Sequence, residues 1–244
     1  MPKLPRPISE YGYYHLILRG NNKQIIFEER KDYVHFLNLL KKFSIEFQVS
    51  INAFCLMDNH AHLLVCHTGP NIPIFMKYLA GNYAVWFNQK YNKIGHLFQG
   101  RYICKPIESD ESLCKVFRYI INNSKDAGIC PTKDYEWNSY SRYGNPNSFV
   151  DTKIFQEFLG SFEEYDAYLN ENYEIDSSFE SWEHDDEWAK SVMRETLGIE
   201  SGSIIQTYDL ERRNQAIRML REKGLSIRQI SRLTGISKSV IQRI

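Results

Sequence analysis

The stretch Val49-Ser-Ile-Asn-Ala-Phe-Cys-Leu-Met-Asp-Asn-His-Ala-His-Leu-Leu-Val-Cys66 decides the fold. Val49–Leu56 and His60–Cys66 each read as a strand, and Met57-Asp58-Asn59 between them is short enough for a hairpin, so the two are expected to pair antiparallel. Side chains alternate along a strand, so His60 and His62 project to one side while Ala61 and Leu63 project to the other. Two imidazoles converging from one strand can hold a divalent ion. With a third protein ligand and positions left open, the arrangement is that of a catalytic metal site rather than a structural one.

Upstream of the hairpin, Tyr13–Arg19 is a short aromatic and aliphatic run closed by the turn residues Gly20-Asn21-Asn22, and it reads as a strand. Asp32–Phe47 then spaces Tyr33, Phe36, Leu37, Leu39, Leu40 and Phe43 as a helix does. Downstream, Ile72–Asn92 reads as a long helix with Pro73 tolerated in its first turn, and Gly95 and Gly100 punctuate the chain beyond it. Tyr102–Ile107 reads as a fourth strand that Pro106 confines to a sheet edge. Asp110–Ala127 is a last helix, with Ser109 or Asp110 to cap it and Gly128 to end it. The order β-α-β-β-α-β-α places the chain in the α+β class. Its first six elements follow the ferredoxin-like order, an antiparallel sheet with helices on one face and the other face left for a site.

On the helix from Asp110, Leu113, Val116, Phe117, Ile120 and Ile121 form an apolar stripe. Tyr119 and Asn123 lie off it, four residues apart, so a phenol and an amide oxygen share one helix face.

Composition bounds the function. With 43% hydrophobic and 25% charged residues among 244, the chain can fill a core, and no run approaches the roughly 18 apolar residues of a membrane span. Met1–Tyr14 has no signal-peptide stretch, so a cytoplasmic protein acting away from membranes is expected. Five cysteines, scattered and never paired as CxxC, argue against a disulfide framework or zinc ribbon and read as buried thiols. The net charge of zero conceals a pattern: residues 1–149 hold 18 Lys and Arg against 12 Asp and Glu, residues 150–208 hold 3 against 15, and residues 209–244 hold 9 against 3. Two basic segments flanking an acidic one suggest three parts: a polyanion-facing domain at 1–149, an acidic helical extension and linker at 150–208, and a basic module at 209–244.

Tyr135, Trp137 and Tyr140, just before the middle part, are expected to pack back on the first domain. Within it, Lys153–Leu159 and Glu163–Asn172 read as helices, and Glu174–Asp186 reads as a linker with little to bury. In the last part Asn214–Glu222 is amphipathic, and Ser226-Ile-Arg-Gln229 matches a capping box opening a helix through Leu233. Thr234-Gly235 makes a turn, and Ser237 caps a final helix. Ile230, Leu233, Ile236, Val240 and Ile241 are able to share a small core. This resembles a helix-turn-helix that leaves Lys238, Ser239, Gln242 and Arg243 exposed for a DNA groove or hairpin stem.

Five ordered motifs carry a wider resemblance: Tyr14-His-Leu-Ile-Leu-Arg-Gly-Asn-Asn22, Asp58-Asn-His-Ala-His-Leu-Leu-Val65, Gly95-His-Leu-Phe-Gln-Gly-Arg101, Arg118-Tyr-Ile-Ile-Asn-Asn123 and Tyr135-Glu-Trp-Asn-Ser-Tyr140. Together they resemble the REP-associated tyrosine transposases, relatives of the insertion-sequence-200 type in the HUH superfamily, over about residues 8–145. The resemblance implies a ferredoxin-like nuclease fold, a metal pair at His60 and His62, Asn123 at the third ligand position and Tyr119 as nucleophile. It further implies Mg²⁺ or Mn²⁺, a single-stranded or hairpin DNA partner, and a homodimer. The sequence departs from the usual pattern at Asp58 and Ser124, often proline, and at Ala61, often larger; none of these removes a functional group.

A single strand also needs a basic groove and stacking surfaces, for which Arg19, Arg101, Tyr102 and Lys105 are the candidates in the first domain. Two other classes remain open at this point: a DNA-binding regulator on the same fold without activity, and an unrelated HxH metal hydrolase of small phosphates.

Overall fold

The computed structural model describes residues 9–67, 69–174, 186–225 and 227–244. It divides into two compact units, residues 1–175 and 176–244. The first unit is built on strands β1 (Tyr13–Arg19), β2 (Ser50–Met57), β3 (His60–Cys66) and β4 (Ile103–Ile107), in the spatial order β2-β3-β1-β4 with every pairing antiparallel. Helices α1 (Arg30–Glu46), α2 (Ile72–Tyr91) and α3 (Asp110–Asp126) complete the expected β-α-β-β-α-β-α order. This is the ferredoxin-like α+β sheet, and β4 with Pro106 is indeed an edge strand.

Alternation sorts the two faces. Tyr14, Leu16 and Leu18 of β1, Phe54 and Leu56 of β2, and Ala61, Leu63 and Val65 of β3 point into a core shared with Phe36, Leu40 and Phe43 of α1 and Phe75, Leu79, Tyr83 and Phe87 of α2. The opposite face carries His15, Ile17, Arg19, His60 and His62, and it is not left open, because α3 packs across it against β2 and β3. The outer edge of β2 is covered as well. Ile51 bridges Val150, Cys55 bridges Asn138, and the Leu56 amide donates to the Trp137 carbonyl at 2.9 Å, so the strand does not end in a bare edge. Trp137 stacks on Tyr33 at 4.4 Å, Tyr135 donates to the Leu56 carbonyl at 2.6 Å, and Tyr140 donates to Asp166 at 2.7 Å, as expected of these aromatics.

One buried carboxylate ties this scaffold together. Asp32 lies in the first turn of α1 with no exposed surface, which makes it an unusual place for a charge. It accepts from the Glu28 and Glu29 amides at 2.7 and 3.0 Å, from Tyr91 at 2.8 Å, and from Lys90 at the end of α2. Burial pushes the carboxyl up, but the bonds from Lys90, Glu29, Tyr91 and Glu28 outweigh it and hold its pKa below the ordinary value. Replacing Asp32 by Ala leaves Lys90 with Glu29 alone and takes the acceptor from the Glu28 and Glu29 amides and from Tyr91, and is expected to cost about 3 kcal/mol, read as a lower urea midpoint. The sign with pH follows from the depressed pKa. The contribution is full above about pH 4 and disappears as pH falls through the folded value, a dependence the Ala variant should lack.

The acidic segment is not one piece. Helices α4 (Lys153–Leu159) and α5 (Phe162–Asn170) pack on the outer side of α3, with Phe155 stacked on Phe117 at 3.7 Å and Asn122 donating to the Leu169 carbonyl at 2.8 Å. They belong to the first unit. In the second unit, α6 (Asp186–Leu197), a 3-10 turn at Gly202–Thr207, α7 (Leu210–Glu222), α8 (Ile227–Thr234) and α9 (Lys238–Gln242) share a core. Ala189, Val192, Met193, Ile205, Ala216, Ile217, Leu220, Ile230, Ile236 and Ile241 fill it, with Leu233 and Val240 packed at its margin. The compact units therefore part at 175/176 rather than at 149/150 and 208/209, because apolar stripes at Phe155 and at Ala189-Val192-Met193 lie within the run of acids.

The expected linker at 174–186 falls largely outside the described residues, and Ser226 of the expected capping box does too. Gly235, with φ of +74°, makes the turn between α8 and α9. Ser237 does not bond back to the helix it precedes; its hydroxyl meets that of Ser239 at 3.2 Å. All five cysteines are free thiols, but only Cys55 is buried. No helix among the described residues is long and apolar enough to cross a membrane.

Candidate active site

The site lies in the seam between α3 and the polar face of the sheet. β3 carries His60 and His62 out of the hairpin, and the register sets Arg19 opposite His60 and Ile17 opposite His62. Ser109 caps α3 by accepting from the Ser112 amide at 3.2 Å, and Asp110 and Glu111 in the first turn complement the helix dipole. The helix so anchored lays Tyr119 over β1 and β3, its ring perpendicular to that of His62 at 5.5 Å and edge-on to that of His15 at 5.9 Å. One turn later Asn123 hydrogen-bonds with His60.

The helical spacing sets Tyr119 and Asn123 beyond the apolar stripe. They do lie off it, yet both are buried, with Tyr119 only 1% exposed. Phe117, on the far side of the helix, packs under Phe155 and Tyr165, so α3 is covered on both sides and its polar edge faces the histidines.

Burial governs the charge of the site. His62 is held well below its ordinary pKa by desolvation and then by its neighbours His60, His15 and Lys105. His60 is pushed down to about 4 by burial, with the Arg19 cation adding to this and Asn123 and Asp58 opposing it. His15 is pushed down to about 3 by burial and by Lys105. All three imidazoles are therefore neutral near pH 7, the form that ligates metals.

Among the described residues no three His, Cys, Asp or Glu side chains gather as a metal-holding group. The donor set that fits is mixed, two neutral imidazoles from His60 and His62 with the amide oxygen of Asn123. His60 has its Nδ1 engaged by Asn59 Oδ1 at 2.6 Å, and His62 has its Nδ1 engaged by His15 Nε2 at 2.9 Å. Each ring is thus oriented through its Nδ1 by a neighbouring side chain, as the rings of metal-ligating histidines are.

A family model described as "Transposase IS200 like" matches residues 9–123, the segment that contains every one of these side chains. Over those residues, just under half of the chain, it is similar to the IS200-like transposases. Two solved structures are similar to the chain in outline. One is a REP-associated tyrosine transposase bound to a REP hairpin, with a TM-score of 0.49 and 14% identity over 58% of this chain and 84% of that one. The other is a protein from Deinococcus radiodurans assigned as a transposase, with a TM-score of 0.35 and 23% identity over 49% of this chain and 96% of that one. No curated protein matches the chain.

The candidates for contact with DNA divide. Arg19 and Lys105 stand on the site face, Lys105 opposite His15 in register. Arg101 is exposed in the bend before β4. Tyr102 is half-buried against the apolar core of the other face, so it packs the scaffold instead of joining the site. In the second unit Lys238, Ser239, Gln242 and Arg243 are all exposed on or just after α9. His15 is the residue that sequence reasoning missed. Its signal was present in the alternation His15, Ile17, Arg19, but only the pairing of β1 with β3 brings it beside His62.

Proposed function

We propose that this chain is a transposase that cuts and rejoins single-stranded, hairpin-bearing DNA through a 5′-phosphotyrosine on Tyr119, with Mg²⁺ or Mn²⁺ held by His60, His62 and Asn123. The observation that carries this reading is the convergence of a helix-borne phenol, two neutral imidazoles and an amide on one seam, from β3 and α3.

The chemistry follows from charge. A phosphodiester is anionic and repels a nucleophile; when bound, the divalent ion supplies neutralisation of its non-bridging oxygens. Tyr119 attacks phosphorus through its phenol oxygen. The Oη–P bond forms, the P–O3′ bond breaks, the phenol proton leaves to solvent and the departing 3′ oxygen takes one up. The phosphoester bond is conserved in the enzyme link, so a second 3′-hydroxyl can reverse the step and join strands without a nucleotide cofactor. Incubating the chain with labelled single-stranded hairpin DNA and Mn²⁺ should give an SDS-resistant adduct; binding without any adduct would favour a regulator that has lost activity.

Arg19 and Lys105 would receive the phosphate backbone beside the site. Lys105→Ala is expected to weaken single-strand binding alike for all sequences and to lower the slope of log affinity against log salt by about 0.7, as for one lost phosphate contact. The second unit would choose the DNA through Lys238, Ser239, Gln242 and Arg243 on a helix-turn-helix. A homodimer is part of the same reading and is checked by sedimentation.

A further inference from the structure

His15 is 1% exposed and lies diagonally across the β1–β3 pair from His62, two residues along β1 from its register partner Ile17. Its Nε2 is 2.9 Å from Nδ1 of His62. The ring centres are 5.1 Å apart with an interplanar angle of 28°. Rings stacked face to face cannot bring two nitrogens that close, because non-bonded ring planes approach no nearer than about 3.5 Å. The contact is therefore an edge-to-edge N–H···N bond. Both rings are neutral, so one nitrogen of the pair carries the proton and the other a lone pair.

Which nitrogen carries it decides whether His62 can serve a metal. With His15 as donor, the proton of His62 sits on Nε2 and closes that atom to a cation. With His62 as donor from Nδ1, its Nε2 is bare. The neighbouring ligand displays the second choice. His60 Nδ1 faces Asn59 Oδ1 at 2.6 Å, and the Asn59 amide is oriented by its Nδ2 donating to the Lys23 carbonyl at 3.4 Å. A carboxamide oxygen only accepts, so His60 carries its proton on Nδ1 and none on Nε2.

We propose that His15 is a positioning residue that accepts the Nδ1 proton of His62 and so keeps His62 Nε2 bare for the metal. This rests on His60 and His62 being the metal pair. His15 must then hold its own proton on Nδ1, and that buried atom has no hydrogen-bond partner among the described residues. A stranded polar group of this kind marks a functional constraint, since an apolar residue would fill the position without leaving it.

Long-range ¹H–¹⁵N spectra of the imidazoles in the metal-free chain, assigned with single-histidine variants, test the inference directly. They should show His62 protonated on Nδ1 and bare at Nε2; the reverse tautomer overturns it. Titration with Mn²⁺ alone gives a second readout. His15→Phe, which cannot accept, should bind Mn²⁺ about 10–100-fold more weakly, and His15→Gln, whose amide oxygen can accept, should restore most of that affinity. Equal Mn²⁺ affinity in a folded His15→Phe chain overturns the inference. Should that variant not fold, the wild-type tautomer and the Gln variant decide. A wild-type chain that fails to bind Mn²⁺ removes the metal pair itself, while the tautomer of His62 still decides what His15 does.

Discussion

Tyr119→Phe is expected to abolish the covalent DNA adduct, lowering strand cleavage by at least ~10³-fold, as when a covalent nucleophile is removed, while single-strand binding persists. The substitution takes away one oxygen and keeps the ring, so the perpendicular packing on His62 and the edge contact with His15 remain and the fold should melt near its usual temperature. Gel retardation reads binding and denaturing electrophoresis reads the adduct on the same samples. An adduct of undiminished yield in the Phe variant would place the nucleophile elsewhere among the 16 tyrosines.

The second large effect is expected at His62. His62→Gln should lose Mn²⁺ binding and with it cleavage, by on the order of 10³-fold if the ion supplies several kcal/mol of transition-state stabilisation. Gln is chosen over Ala because the side chain is fully buried, and emptying the seam would confuse a ligand loss with a cavity. Calorimetric titration with Mn²⁺ reads the first loss and adduct yield the second. Retained cleavage at saturating Mn²⁺ would remove His62 from the ligand set.

The elements of the first unit were legible because each was announced locally. The hairpin at Met57-Asp58-Asn59 fixed the pairing of β2 and β3, Pro106 gave away the edge, and Ser109 and Gly128 bracketed α3. The shared face of His60 and His62, the proposed metal pair, was legible for the same reason, since alternation on one strand is a local rule. His15 was not, because its role depends on which strand lies beside β1, a long-range fact that periodicity does not carry. The burial of Tyr119 was hidden too, because it depends on α3 lying across the sheet with the ring against His62 and His15. The cover on the far side of α3, where Phe155 and Tyr165 meet Phe117, comes from a segment whose acid count read as solvated. The same count obscured α6, where Ala189, Val192 and Met193 form an apolar stripe beneath a charged surface.

A phenol with 1% of its surface open cannot meet a phosphodiester where it stands, so on this reading the resting enzyme is latent. Substrate would then be processed only in the fraction of molecules in which α3 has parted from the sheet, and the apparent affinity would be reduced by that fraction. A DNA strand that holds the parted state through several contacts recovers this loss, whereas a stray phosphodiester touching one or two side chains does not. Fidelity would then come from the work of opening the seam, and turnover would follow the motion of a helix more closely than the strength of the bond being broken.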